Sequence, residues 1–201
     1  NVPLVNLWLN SPVKNLPSVF ADFEASGIMA AEHLIGRGFK RFGYLGFLRD
    51  KDAGLQLTGF RNRLKKEGLQ CAAHRFSRVS VTEKAQGWKT FIDDLGKWVD
   101  FWEPPIGIFV VNDLFCRYLN DVCRAKGLHV SQDVGIVGCS NEPTICSSPP
   151  PTLTSIDLGF EQVGYRAASL LDRMMKGAKP PKIPELVPTV ELIPRQSTDS
   201  Y

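Results

Sequence analysis

The run Ile106-Gly107-Ile108-Phe109-Val110-Val111-Asn112-Asp113-Leu114-Phe115 changes character at its midpoint. Its first six residues are almost wholly apolar, as expected of a strand buried on both faces of a parallel sheet. From Asp113 to Lys126 apolar residues recur at helical spacing, with Phe115, Tyr118, Leu119 and Val122 on one face, and Gly127 closes the helix. A buried strand that hands a polar pair directly to a helix is the repeating βα unit of an α/β protein. The alternation extends in both directions. Strands are predicted at Val2–Leu7, Ser18–Ala21, Arg41–Phe47, Cys71–Arg75, Val134–Gly138 and Leu153–Ile156, and helices at Phe23–Arg37, Leu55–Glu67, Thr82–Val99 and Phe160–Met175. The tail from Lys179 to Thr198 carries five prolines and can supply only short or edge strands. The expected fold is therefore α/β, with parallel sheets flanked by helices.

Composition narrows the function classes. Of 201 residues, 43% are hydrophobic and 22% charged, which is ordinary for a globular chain. The formal charge of +3, from 24 Lys+Arg against 21 Asp+Glu, is too small to announce nucleic-acid binding by these residues themselves. No apolar run approaches the length of a membrane helix, so no membrane partner is expected. The opening Asn1-Val2-Pro3 lacks an initiating Met and reads as a fragment, or as a protein that starts upstream. Five cysteines (Cys71, Cys116, Cys123, Cys139 and Cys146) form no CxxC and have no histidine at zinc spacing, which points to buried thiols in a reducing cytoplasm.

In such folds ligands bind beyond the carboxyl ends of the strands. Catalytic signatures are missing there: no GxGxxG follows the first strand, and no Walker loop or GxSxG elbow occurs. Asp93-Asp94 reads as a solvated helix face, and Trp88, Trp98, Phe101 and Trp102 read as packing rather than as a sugar platform. No catalytic residue, metal ligand or cofactor is expected. Polar groups do gather on the carboxyl edge. Asn112 and Asp113 follow one strand, one suited to binding hydroxyls and the other to capping the helix. Ser140 and Asn141 follow a second strand, and Asp157 follows a third.

Several segments, in order along nearly the whole chain, resemble the sensor domain of LacI-type regulators. They include Val19-Phe20-Ala21-Asp22, Gly38-Phe39-Lys40-Arg41-Phe42-Gly43, Gly59-Phe60 and Phe109-Val110-Val111-Asn112-Asp113. Val130 to Gly138, Leu153-Thr154-Ser155-Ile156 and Arg195-Gln196-Ser197-Thr198 continue the likeness. The ending is most similar to the xylose-operon regulators, in which an AraC-type helix-turn-helix follows the sensor. The resemblance implies a two-lobed, periplasmic-binding-protein-like fold of type I with the first lobe truncated. Residues 1–21 would be a remnant of that lobe, 22–156 the second lobe, and 157–187 a helix and strand returning to the first. Residues 188–201 would be a crossover and linker toward a missing DNA-binding domain. The first-lobe remnant would then expose apolar surface, with aggregation or tight dimerisation as the consequence.

It further implies a sugar or sugar derivative as effector, a homodimer, DNA contact only through the missing domain, and a cytoplasmic location. The alternative is a periplasmic sugar-binding protein of a transport system. Three positions depart from the family pattern. Gln56 stands where an effector-binding Arg is common, Ser140 where an Asp is common, and Leu158 where a Gln is usual. These departures predict weak binding of an ordinary pentose. They leave open an effector that is less polar or of different size, or a site that has lost sensing. The expected cleft residues are Asn112, Gln56, Ser140, Asp113, Asn141 and Asp157.

Overall fold

A computed structural model describes residues 2–77 and 85–199. Strands β1 (Val19–Ala21), β2 (Phe42–Phe47), β3 (Cys71–Phe76), β4 (Ile106–Val110), β5 (Val134–Cys139), β6 (Thr154–Asp157), β7 (Glu185–Val187) and β8 (Glu191–Ile193) form two sheets. The larger has the order β3-β2-β4-β5-β6-β8, parallel throughout except for β8, which runs antiparallel to β6 at the edge. The smaller pairs β1 with β7 in parallel. The helices are α1 (Phe23–Gly36), α2 (Lys51–Lys66), α3 (Ala85–Asp100), α4 (Asp113–Ala125), the single turn α5 (Pro143–Cys146) and α6 (Phe160–Met175). The predicted helix start at Thr82 lies outside the described residues.

Side-chain alternation along the central strands divides the core in two. Phe42, Tyr44, Phe109 and Val137 face α1 and α2, whereas Leu45, Ile108, Val110 and Ile136 face α3 and α4. The α1–α2 contact is the closest helix pairing because each helix offers a glycine to the other's backbone. A Cβ on Gly27 would overlap the Gln56 carbonyl, and one on Gly59 would overlap the Glu24 carbonyl.

Three sequence expectations need correction. Val2–Leu7 is not a strand: its one ladder contact is an isolated bridge between Asn6 and Ser18, since Pro3 and the short Asn10–Pro17 loop leave no room for a register. Helix α2 begins at Lys51 rather than Leu55, because the Asp50 carboxylate accepts the Ala53 amide at 3.2 Å and caps it there. Phe101 does not pack; it is 84% exposed, lying one residue past the end of α3. Trp98 and Trp102, by contrast, meet edge to face at 4.8 Å, and Trp88 meets Tyr118 at 4.5 Å. Four of the cysteines are buried and Cys71 is half-buried; all five are free thiols.

The Arg195-Gln196-Ser197-Thr198 segment docks as a short 3-10 turn on the large sheet. The Ser197 hydroxyl donates to the Ile136 carbonyl at 2.6 Å and accepts the Thr154 amide at 2.8 Å. Thr198 Oγ1 lies 2.7 Å from Thr154 Oγ1 and 2.9 Å from His33 Nε2. Burial, reinforced by the Arg37 guanidinium, pushes the His33 imidazole down from 6.5 to about 4. Between those values the unfolded chain binds a proton that the folded chain does not, so stability is whole above pH 6.5 and declines toward pH 4. His33→Gln is expected to flatten that slope, which urea titrations at stepped pH would measure.

Candidate functional site

Four strand ends and the starts of four helices, α1, α2, α4 and α6, meet at a small pocket of about 110 Å³ on the carboxyl edge of the large sheet. Its polar lining is Gln56, Asn112, Ser140 and Asp52. Phe23, Phe47 and Phe160 supply aromatic walls, and Leu158 occupies the position where the resemblance implies Gln. Three of the residues expected at the cleft, Gln56, Asn112 and Ser140, therefore share one cavity, although their chain positions are far apart.

Each is held by the scaffold. Asn112 ends the β4 segment in extended backbone, and its Oδ1 accepts the Phe115 amide at 3.1 Å. It thus caps α4 and also lines the pocket. The cap falls on Asn112 rather than Asp113, so Asn112 combines the two roles that the sequence divided between them. Asp113 sits one residue too far along, where its side chain turns inward. It is 1% exposed and accepts from Ser155 Oγ at 2.5 Å and from the Glu142 amide at 2.8 Å. Desolvation raises its carboxyl above the ordinary value against the pull of these bonds. Asp113 is a clamp on the loop after β5, not part of the pocket lining.

Gln56 is 2% exposed, deeper than a cleft-wall residue. The Tyr44 hydroxyl lies 3.1 Å from its Oε1, and its Nε2 donates to the Val111 carbonyl at 3.4 Å. The amide forms the pocket floor and ties α2 to the end of β4. Asn141 and Asp157 do not line the pocket. The Asn141 side chain accepts from Arg195 Nη2 at 2.8 Å, and Asp157 Oδ1 accepts the Gly159 amide at 2.8 Å, shaping the turn into α6.

Ser140 and Asn141 adopt φ of +109° and +51°. Two successive non-glycine residues on the left-handed side store strain of order 1–3 kcal/mol each, a feature that concentrates at functional sites. Ser140→Gly should relieve this and raise stability by about 1 kcal/mol, while deleting the hydroxyl and weakening ligand retention. Chemical denaturation and calorimetry of the same variant would check the two effects together.

Asp52 is the site residue that sequence reasoning did not single out. It stands in the first turn of α2, where Asn10 Nδ2 donates to its Oδ1 at 2.6 Å. Burial first, and hydrogen bonding with Asp50 second, push its carboxyl up from 3.8 to about 6. The available signal was Asp50-Lys51-Asp52 itself, an acidic pair typical of a helix start. Among the described residues no group of His, Cys, Asp and Glu is arranged to hold a metal, and no helix is long and apolar enough to cross a membrane. The arrangement offers amide and hydroxyl groups, one carboxyl and aromatic faces, which suits binding of a small hydroxylated molecule.

The model of the periplasmic binding protein-like domain matches residues 31–198. The chain belongs to this family. The xylose operon regulatory protein of Haemophilus influenzae is 27% identical over 194 residues, covering 92% of this chain and 48% of that protein. The arabinose metabolism transcriptional repressor of Geobacillus stearothermophilus is 28% identical over 202 residues, covering 98% of this chain and 54% of the repressor. The solved structure of a xylose-binding transcription activator superposes with a TM-score of 0.85 at 26% identity, over 99% of this chain and 53% of that one. The chain thus spans about half the length of these relatives. As a periplasmic binding protein-like domain it has the mostly parallel α/β architecture of the regulators' sensor domains.

Proposed function

We propose that this chain is the effector-sensing and dimerisation part of a sugar-responsive transcription regulator of the xylose-operon type. The observation that carries the reading is the convergence of Gln56, Asn112 and Ser140 on one carboxyl-edge pocket. The regulators it resembles support it, and since the chain spans about half of their length, the reading leaves DNA contact to a helix-turn-helix domain outside these residues. Binding rather than catalysis is the proposed activity, in the cytoplasm, with closure around the ligand altering DNA affinity through a second site.

The large sheet with α1 to α5 corresponds in this reading to the second lobe, residues 22–156. The β1–β7 pair with α6 belongs to the first, and β8 with the 3-10 turn crosses back. Exposed apolar side chains concentrated at Val2, Leu4, Leu7, Trp8, Ile183 and Leu186 fit a first lobe that is only partly present.

A thermal-shift screen of pentoses, hexoses and their derivatives on the full-length protein tests the assignment, because a ligand of the native state raises the melting temperature. At least one sugar is expected to do so. Asn112→Ser should keep the helix cap yet abolish the shift. A shift that survives Asn112→Ser would place the ligand elsewhere.

A further inference from the structure

The pocket carries charge of one sign only. Among the residues that line it, Asp52 is the one ionisable side chain, and no lysine, arginine or histidine shares the cavity. Cations nearby are committed elsewhere. Lys51 Nζ donates to the Leu9 carbonyl at 3.1 Å, and Arg195 donates to the Leu153 carbonyl at 2.7 Å and to Asn141. Of the four helices that start at the pocket, α4 is capped by the neutral Asn112 and α6 has no side-chain cap, though each carries an acidic residue in its first turn, Asp113 and Glu161, and the other two are capped by carboxylates. The Asp22 and Asp50 carboxylates cap α1 and α2, accepting the Ala25 amide at 2.9 Å and the Ala53 amide at 3.2 Å. They set negative charge against both dipoles.

A carboxyl that shares a small pocket with three phenylalanines and no cationic lining residue is poorly solvated, and burial, with hydrogen bonding to Asp50, holds it up at about 6. An anionic ligand group would meet repulsion here. A neutral hydroxyl would accept or donate one hydrogen bond but leave the charge unbalanced. An ammonium group would supply the missing counter-charge and could rest against the faces of Phe23, Phe47 or Phe160, which attract cations. The cavity of about 110 Å³ holds only a few heavy atoms, so it receives one end of a ligand rather than the whole.

Resting on the effector-binding reading above, we infer that this pocket takes a protonated amine: Asp52 binds the ammonium group of an amino sugar while Asn112 and Ser140 bind neighbouring hydroxyls.

The test is calorimetric titration of the full chain with matched pairs: D-glucosamine, D-galactosamine and 2-amino-2-deoxy-D-xylose against their neutral parents and N-acetyl derivatives. At least one amine is expected to bind tenfold or more tightly than both its parent and its N-acetyl form. Asp52→Asn, which preserves an acceptor for Asn10, should remove most of that difference. If a neutral sugar binds in an Asn112-dependent manner with no preference for its amine, or if Asp52→Asn leaves the preference intact, the inference fails while the effector-binding reading stands. If no compound of either set binds, both are overturned.

Discussion

Gly59→Ala is expected to destabilise the protein by about 3 kcal/mol, at the upper end of overpacking effects. The added methyl would overlap the Glu24 carbonyl, a backbone atom that cannot move aside as a flexible side chain would. Relief requires α1 and α2 to separate, and both helices cover the same core face around Tyr44, Phe60 and Phe109. For a chain of this size the melting temperature should fall by roughly 6–12 °C, at 2–4 °C per kcal/mol. Gly27→Ala meets the Gln56 carbonyl across the same crossing and should behave alike. The double variant should lose less than the sum, because one separation of the helices relieves both clashes. Gly54→Ala is the internal control. It lies on the same helix with nothing within 4 Å of its would-be Cβ, and should stabilise by about 0.5–1 kcal/mol. Urea denaturation of the four variants reads all these effects. Because Gln56 contributes the carbonyl at this crossing, Gly27→Ala should also weaken ligand binding.

Asp113→Ala is the second large effect, about 3–5 kcal/mol as for breaking a buried charged pair or network. The carboxylate satisfies the buried Ser155 hydroxyl and the part-buried Glu142 amide. Asp113→Asn should recover part of the loss, since its carbonyl oxygen can accept one of the two and the Ser155 hydroxyl can turn to accept from the amide. Denaturant midpoints would rank wild type above Asn above Ala. The loop held by Asp113 carries Ser140, so sugar-induced thermal shifts should shrink in the same order.

The α/β architecture was legible because its signal is local. Apolar runs such as Ile106–Val111 and helical periodicity such as Phe115-Tyr118-Leu119-Val122 depend on neighbours a few residues apart. The strand-end rule likewise pointed to Asn112 and Ser140, since it needs only the order of strands and helices, whereas Gln56, inside α2, came only from the family resemblance. What escaped depends on distant partners or on one residue of register. Asp52 was hidden because α2 was read from its apolar stripe at Leu55, whereas the cap at Asp50 sets its start. Asn10 binds Asp52 across 42 residues of chain, and nothing in either segment announces the other. That Asn112 rather than Asp113 caps α4 turns on a single residue of register at the end of β4. Phe101 was placed in the core by periodicity that runs one residue past the helix.

The central claim is that a sugar-like effector sits on the carboxyl edge beside Gln56, Asn112 and Ser140. A crystal structure of the full-length protein bound to whichever sugar stabilises it most tests this directly. Ligand density within hydrogen-bonding distance of Asn112 Nδ2 and the Ser140 hydroxyl is the expected result. Density elsewhere, for example in the open groove of about 860 Å³ beside Lys14 and Lys182, would contradict it.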